Sequence, residues 1–101
     1  MFFERDVPYY REHRDLTALP GGDLVLYEAF SEIRDRAVRE VAAADAALVT
    51  SYCPDASAAT EIVLAAPRAR RVFYDLDTPV TLARLRAGET VDYVGPGGLA
   101  G

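Results

Sequence analysis

Short runs of β-forming residues alternate along this chain with segments of helical spacing, and that alternation limits the fold more than any other feature. The apolar runs lie at 1–5 (M-F-F-E-R), 24–27 (L-V-L-Y), 46–50 (A-A-L-V-T), 72–74 (V-F-Y) and 90–94 (T-V-D-Y-V). Between them fall four segments that suit helices, at 7–15, 31–44, about 55–66 and 79–87. Strand and helix in strict turn imply βαβ units, a mostly parallel sheet, and helices packed on its two faces. The runs are nearly unbroken in apolar character, as strands covered on both sides should be. The expected class is therefore α/β.

The helical segments carry their own signals. In 31–44, Ile33, Ala37, Val38, Val41 and Ala42 form one stripe, and Glu32, Arg36, Arg39 and Glu40 cover the other side. Ser31 is placed to cap this helix, with Glu32 favourable against its dipole. Asp55 or Ser57 is placed to cap the next, whose apolar face is Ala59, Ile62, Val63 and Ala66, and Pro67 ends it. The stretch 71–81 (R-V-F-Y-D-L-D-T-P-V-T) passes from strand through an acidic turn into a helix. There Thr78 is the expected cap, Pro79 sits in the first turn, and Gly88 closes the helix. Asp6 and Pro8 mark the start of the first helix in the same way. Pro-Gly-Gly content makes 16–23 a loop, and 95–101 (G-P-G-G-L-A-G) is expected to be a flexible glycine-rich tail after a single domain at 1–94.

Bulk properties exclude some functions. A chain of 101 residues holds one small domain. The net charge is −5, and no lysine is present. The eleven arginines fall among acidic residues, so there is no basic face for a nucleic-acid backbone, and no nucleic acid is expected as a partner. Cys53 is the only cysteine, which fits a reducing compartment. No apolar run approaches the roughly 20 residues that span a bilayer. The N-terminus has no basic-then-apolar secretion signal, so the expected location is cytoplasmic.

Parallel strands deliver their endings to one rim, where ligands of open α/β sheets bind. Three endings are polar: Glu4 with Arg5 and Asp6; Thr50 with Ser51 and Tyr52; and Asp75, Asp77 and Thr78 around Leu76. Two readings compete at each. Asp77 or Thr78 can simply cap a helix while Asp75 ends a strand at the surface. Alternatively, the carboxylates hold sugar hydroxyls or a metal ion. The turn at 50–55 is either a capped connection or a site for a hydroxylated or anionic ligand at a helix N-terminus. Cys53 has no basic neighbour in sequence and reads as a small half-buried residue. His13, among Arg11, Glu12 and Arg14, belongs to a solvated face. No triad, paired-cysteine metal site or phosphate-cradling glycine motif occurs.

Three segments, F-F-E-R-D-V-P-Y-Y at 2–10, V-T-S-Y-C-P-D at 49–55 and V-F-Y-D-L-D-T-P-V-T-L at 72–82, resemble the amino-terminal domain of CgeB-like bacterial glycosyltransferases. These enzymes are related to spore-maturation and GT-B glycosyltransferases. The resemblance covers nearly the whole chain and is most specific in the last segment. It implies a partial GT-B amino-terminal domain, Rossmann-like, with a parallel sheet and helices on both faces. In that architecture two such domains face each other across a cleft. The carboxyl-terminal one holds most of the nucleotide sugar, and the amino-terminal one helps to hold the acceptor.

The resemblance makes Asp75, Asp77, Thr78, Ser51, Tyr52 and Glu4 the expected substrate-binding set. It points to no catalytic residue, and no metal or cofactor is expected. The chain departs from the family at both ends, since a first strand with its glycine loop should precede Phe2 and a donor-binding domain should follow. It is therefore expected to be a fragment, inactive alone, whose full-length parent uses a nucleotide sugar and an acceptor. It is also expected to self-associate through an exposed sheet edge.

Two other readings stand beside this one. The segment V-F-Y-D-L-D-T-P also resembles the first motif of haloacid-dehalogenase-type phosphatases, whose first Asp attacks phosphorus while the second protonates the leaving group. That family has Gly-Thr where this chain has Thr78-Pro79, and it needs a lysine that this chain lacks. A non-enzymatic α/β binding module of the response-regulator kind also fits an acidic rim, but it too needs a lysine there.

Overall fold

The structure is a computed structural model and describes residues 1–13 and 18–94, the side chain of Tyr10 excepted. Among these residues, eight elements follow one another: β1 (Phe2–Arg5), α1 (Pro8–His13), β2 (Leu24–Tyr27), α2 (Phe30–Ala43), β3 (Ala46–Thr50), α3 (Ala56–Ala65), β4 (Arg70–Tyr74) and α4 (Thr78–Arg86). They keep the order and type expected from the apolar spacing. The expected tail at 95–101, the last two positions of the first helix and the first two of the Pro-Gly-Gly loop lie outside the described residues.

All strand pairing is parallel, but it forms two ladders. β1 pairs with β2 from Phe2↔Leu24 to Arg5↔Tyr27. β3 pairs with β4 from Ala46↔Arg70 to Thr50↔Tyr74. Each is a two-stranded sheet. The class is mixed α/β, with one pair in each of two compact units, Met1–Glu40 and Val41–Gly101.

In the first unit, Tyr27, Ile33 and Ala37 are buried. The last two lie four residues apart on α2, the stripe expected there. Tyr27 meets Phe30 edge-on, ring centroids 6.0 Å apart. α2 begins at Phe30, so Ser31 lies inside the first turn instead of ahead of it; Glu32 is in that turn, as the dipole favours. Arg11 bridges Asp6 at 3.1 Å and Glu28 at 3.6 Å.

The second unit has the larger core. Ala47, Val49, Ala56, Val63, Ala66, Ala69, Val91 and Tyr93 form one buried cluster. β3 alternates strictly, with Ala47 and Val49 turned into the cluster and Ala46 and Leu48 exposed. α3 packs on β3 through its Ala56 and Val63 face. The 90–94 run does not become a strand. Val94 N–H donates to the Val91 carbonyl in a turn, and Arg84 donates to the Thr90 carbonyl. The segment is thus tied back to α4, and Val91 and Tyr93 fill the core from a loop.

The end of α4 explains that path. Gly88 adopts φ +76. Its N–H donates to the Leu85 carbonyl, and Glu89 N–H donates to the Arg84 carbonyl. This pair of bonds is the Schellman closure, in which a residue without Cβ takes the left-handed position at little cost. At the other end of α4, Asp77 holds the cap position expected for Thr78, without a side-chain cap bond, and Pro79 lies in the first turn.

Candidate functional site

The rim is built where β3 and β4 end side by side. The ladder continues one bond past the strands, with Ser51 N–H donating to the Tyr74 carbonyl at 3.0 Å. That bond fixes Ser51 beside the turn leaving β4. Its Oγ accepts the Leu76 N–H at 2.8 Å, and its residue surface is 2% exposed. A buried hydroxyl spent on a backbone donor is a structural clamp, since an orphaned Leu76 N–H would cost about 1–3 kcal/mol.

Asp75 folds back on its own turn. Its Oδ1 accepts the Asp77 N–H at 3.1 Å. Partial burial pushes the Asp75 carboxyl up, but the Asp77 N–H and the hydroxyls of Thr81 and Ser51 outweigh it, leaving the group below its ordinary value. The carboxylate is therefore ionised and directed at hydroxyls. Asp77 and Thr78, next along the turn, are exposed.

Below the turn, Thr81 Oγ1 and Tyr93 Oη are 2.8 Å apart, and both residues are buried. The Tyr93 ring stacks on Phe73 at 6.4 Å and meets the Tyr52 ring at 5.0 Å. Tyr52 is held with φ +58, a left-handed conformation that a bulky residue adopts at a cost, and it is 53% exposed. Hydrogen bonding to Tyr93 raises the Tyr52 phenol above its ordinary value, and burial and the charges of Asp77 and Asp75 act the same way. Burial likewise raises the half-buried Cys53 thiol, against a backbone hydrogen bond from Asp55. That thiol is thus kept protonated, as a residue without a nucleophilic role would be.

Of the six residues expected from sequence, five come together: Ser51, Tyr52, Asp75, Asp77 and Thr78 line the end of the β3–β4 pair. Glu4 lies on β1, in the other sheet. Thr81 and Tyr93 belong to the cluster but carry no sequence signal. Thr81 reads as an ordinary helix residue and Tyr93 as part of a strand. Their pairing appears only once the 90–94 loop is folded against α4.

A groove of about 740 Å³ lies in the second unit, lined in part by Pro54, Asp55, Ser57, Glu89, Thr90 and Asp92. Its charged lining is wholly acidic. It takes in the end of the expected 50–55 turn but none of the five rim residues. Ser57 Oγ donates across it to the Asp92 carbonyl at 3.3 Å. His13, expected on a solvated face, is exposed; its Nδ1–H donates to the Tyr9 carbonyl at 2.8 Å, and its ring stacks on that of Tyr9 at 4.5 Å. Among the described residues, no three His, Cys, Asp or Glu side chains are grouped to hold a metal ion. No helix among them is long and apolar enough to cross a membrane.

Chemically, the rim offers acceptors and hydroxyls without a cation. An ionised carboxylate at Asp75, the exposed carboxylate of Asp77, the Thr78 hydroxyl and the Tyr52 phenol suit a neutral polyhydroxylated ligand and disfavour a phosphate. Compared with known proteins, the chain matches no family model, no curated protein and no solved structure.

Proposed function

We propose that this chain is the acceptor-side part of a glycosyltransferase built from two facing Rossmann-like domains, as its resemblance to CgeB-like enzymes implies. The observation that carries the reading is the convergence of Ser51, Tyr52, Asp75, Asp77 and Thr78 at the carboxyl ends of two parallel strands, with Asp75 held ionised among hydroxyls. Sugar hydroxyls donate well to such a carboxylate, and the exposed Tyr52 ring gives an apolar surface for a pyranose face. The parallel pairing within each unit is of the kind that Rossmann-like sheets are made of. The nucleotide sugar belongs to the facing domain in this reading. In this reading the acceptor-side residues bind the acceptor weakly, and transfer needs the facing domain as well.

Titration with simple glycosides, followed by amide chemical shifts, tests this. Residues 51–52 and 75–78 are expected to shift with a glycoside and to stay still with a nucleoside diphosphate. If a glycoside panel moved none of those amides, the reading would fail. It would also fail if the chain hydrolysed a phosphate ester with magnesium and lost that activity in Asp75→Asn.

A further inference from the structure

Among the described residues, no strand pairs with the outer edge of β4, and the sequence along it is complementary to itself. In a parallel ladder each residue turns both its N–H and its C=O to the same side, alternating along the strand. Arg70 N–H donates to the Asp45 carbonyl, and the Tyr74 carbonyl accepts from Ser51. Those two bonds put Arg70, Val72 and Tyr74 on the β3 side. Arg71 and Phe73 therefore turn their backbone groups away from β3, towards the open edge, and Asp75 follows just past the end of the strand. Among the described residues, β4 pairs with β3 alone. All five of its residues are exposed.

This edge lacks the usual protection. Residues 70–74 contain no proline, and three of the five are strong β-formers. The apolar surface is continuous across the pair, because Leu48 is in register with Val72 and is 55% exposed, beside Tyr74 at 56%. Charge then selects the partner. Arginines stand at the start of the strand and carboxylates just past its end. A parallel neighbour of the same sequence would set Arg71 against Arg71. An antiparallel neighbour centred on Phe73 sets Arg71 against Asp75 twice, once on each side of the two-fold axis. The same register sets Val72 opposite Tyr74, a β-branched and aromatic pair of the favourable kind. It also matches outward-facing residues with outward-facing residues, as hydrogen bonding requires.

We propose that two copies of this chain associate through the outer edges of β4, antiparallel and centred on Phe73, giving a four-stranded sheet in the order β3-β4-β4-β3. The inference does not rest on the transferase reading. The interface is isologous, as two-fold dimers are. The Arg71 guanidinium, which now donates to the Leu64 carbonyl at 3.0 Å, lies on the face of the sheet that also bears Asp75 of the other copy.

Sedimentation velocity on the full chain, from micromolar to millimolar, tests the pairing by charge exchange. Wild type is expected to dimerise. Arg71→Glu and Asp75→Arg each set like charges opposite one another and are expected to weaken the dimer about tenfold or more. An equimolar mixture of the two variants restores both attractions and is expected to recover the dimer, as is the double variant. A wild type that stays monomeric throughout overturns the proposal, whatever else binds that edge. So does a dimer indifferent to both single variants, or a folded mixture that fails to recover it. Should a single variant unfold, amide exchange on wild type reads the same edge. The Arg71 and Phe73 amides are expected to slow as concentration rises, and rates independent of concentration overturn the pairing.

Discussion

The two parallel strand pairs of this chain have the same local geometry but different surroundings. β1 and β2 sit in a unit with three buried side chains among its described residues, Tyr27, Ile33 and Ala37. β3 and β4 sit in a unit where eight buried residues from one helix face, a strand and two loops meet in one cluster. Parallel pairing is slightly weaker per residue than antiparallel pairing and relies on what covers it. The comparison teaches that a short parallel pair is held mainly by the side chains on its covered face. The second unit should be the stable one and the first should open more readily.

A charge placed in the larger cluster gives the greatest expected effect. Val63→Asp puts an unpaired carboxylate among Ala47, Val49 and Val91, and the cost is expected to be about 3–5 kcal/mol, by analogy with a buried charge stripped of its partner. Ala37→Asp, on α2 in the first unit, is expected to cost clearly less, because Ala37 lies outside the large buried cluster to which Val63 belongs. Urea unfolding followed by circular dichroism checks both. An Ala37→Asp cost equal to that of Val63→Asp would break the contrast between the units.

Next comes the buried hydroxyl pair. Tyr93→Phe removes one partner of the Thr81 hydroxyl, 1% exposed, and leaves it the Asp75 carboxylate, so the cost is expected to be about 0.5–1.5 kcal/mol. Thr81→Val removes the other half. The double variant should recover about 1 kcal/mol relative to the sum of the two, because only the first loss then matters. Exact additivity would mean that the two hydroxyls do not depend on each other.

These expectations show how far the sequence was legible. Eight elements follow from apolar spacing and from the punctuation of Asp6, Pro8, Pro67, Pro79 and Gly88, because those signals act locally. The parallel sense of β3 and β4 follows from the helix between them. The division into two sheets does not follow, since it depends on which strand finds which neighbour, and apolar runs of similar composition do not encode that. The loss of the 90–94 strand has a similar cause. Val91 and Tyr93 alternate as a strand would, but the Gly88 closure and the Arg84 bond to the Thr90 carbonyl direct them into the core as a loop. At the rim, the grouping of Ser51 with Asp75 was legible because strand ends align. The inward turn of the Ser51 hydroxyl was not, since a buried clamp and a ligand-binding serine have the same sequence.

The rim also carries a pH signature. The folded-state pKa of Asp75 is depressed, so its contribution is present above the unfolded carboxylate value, near 3.9, and is lost as pH falls through the lower folded value. Stability is therefore expected to fall on acidification through that window. A carboxyl NMR titration should find Asp75 ionised below the ordinary range. Ser51→Ala removes one of the hydroxyls that hold it down, and the Asp75 value should rise. An unchanged value would detach Ser51 from the electrostatics of the rim and leave it only the Leu76 clamp.

The smallest expected effect separates backbone from ring at Tyr52. Its left-handed φ of +58 costs about 1–2 kcal/mol for a residue with a Cβ. Its ring contact with Tyr93 returns about 0.5–1.5 kcal/mol beyond the area it buries. Tyr52→Ala keeps the strained backbone and loses the ring, so it should destabilise by roughly the second amount. Tyr52→Gly loses the ring but also the strain, and it adds about 0.4–1 kcal/mol of unfolded-chain entropy. Glycine should thus be more stable than alanine here, by about 0.5–1 kcal/mol, the reverse of the usual order inside an element. If alanine proved the more stable, the turn would relax out of the left-handed region once the ring is gone. The Tyr52–Tyr93 contact would then be the cause of that conformation, and the rim would owe its shape to an aromatic pair instead of to the ladder bond at Ser51.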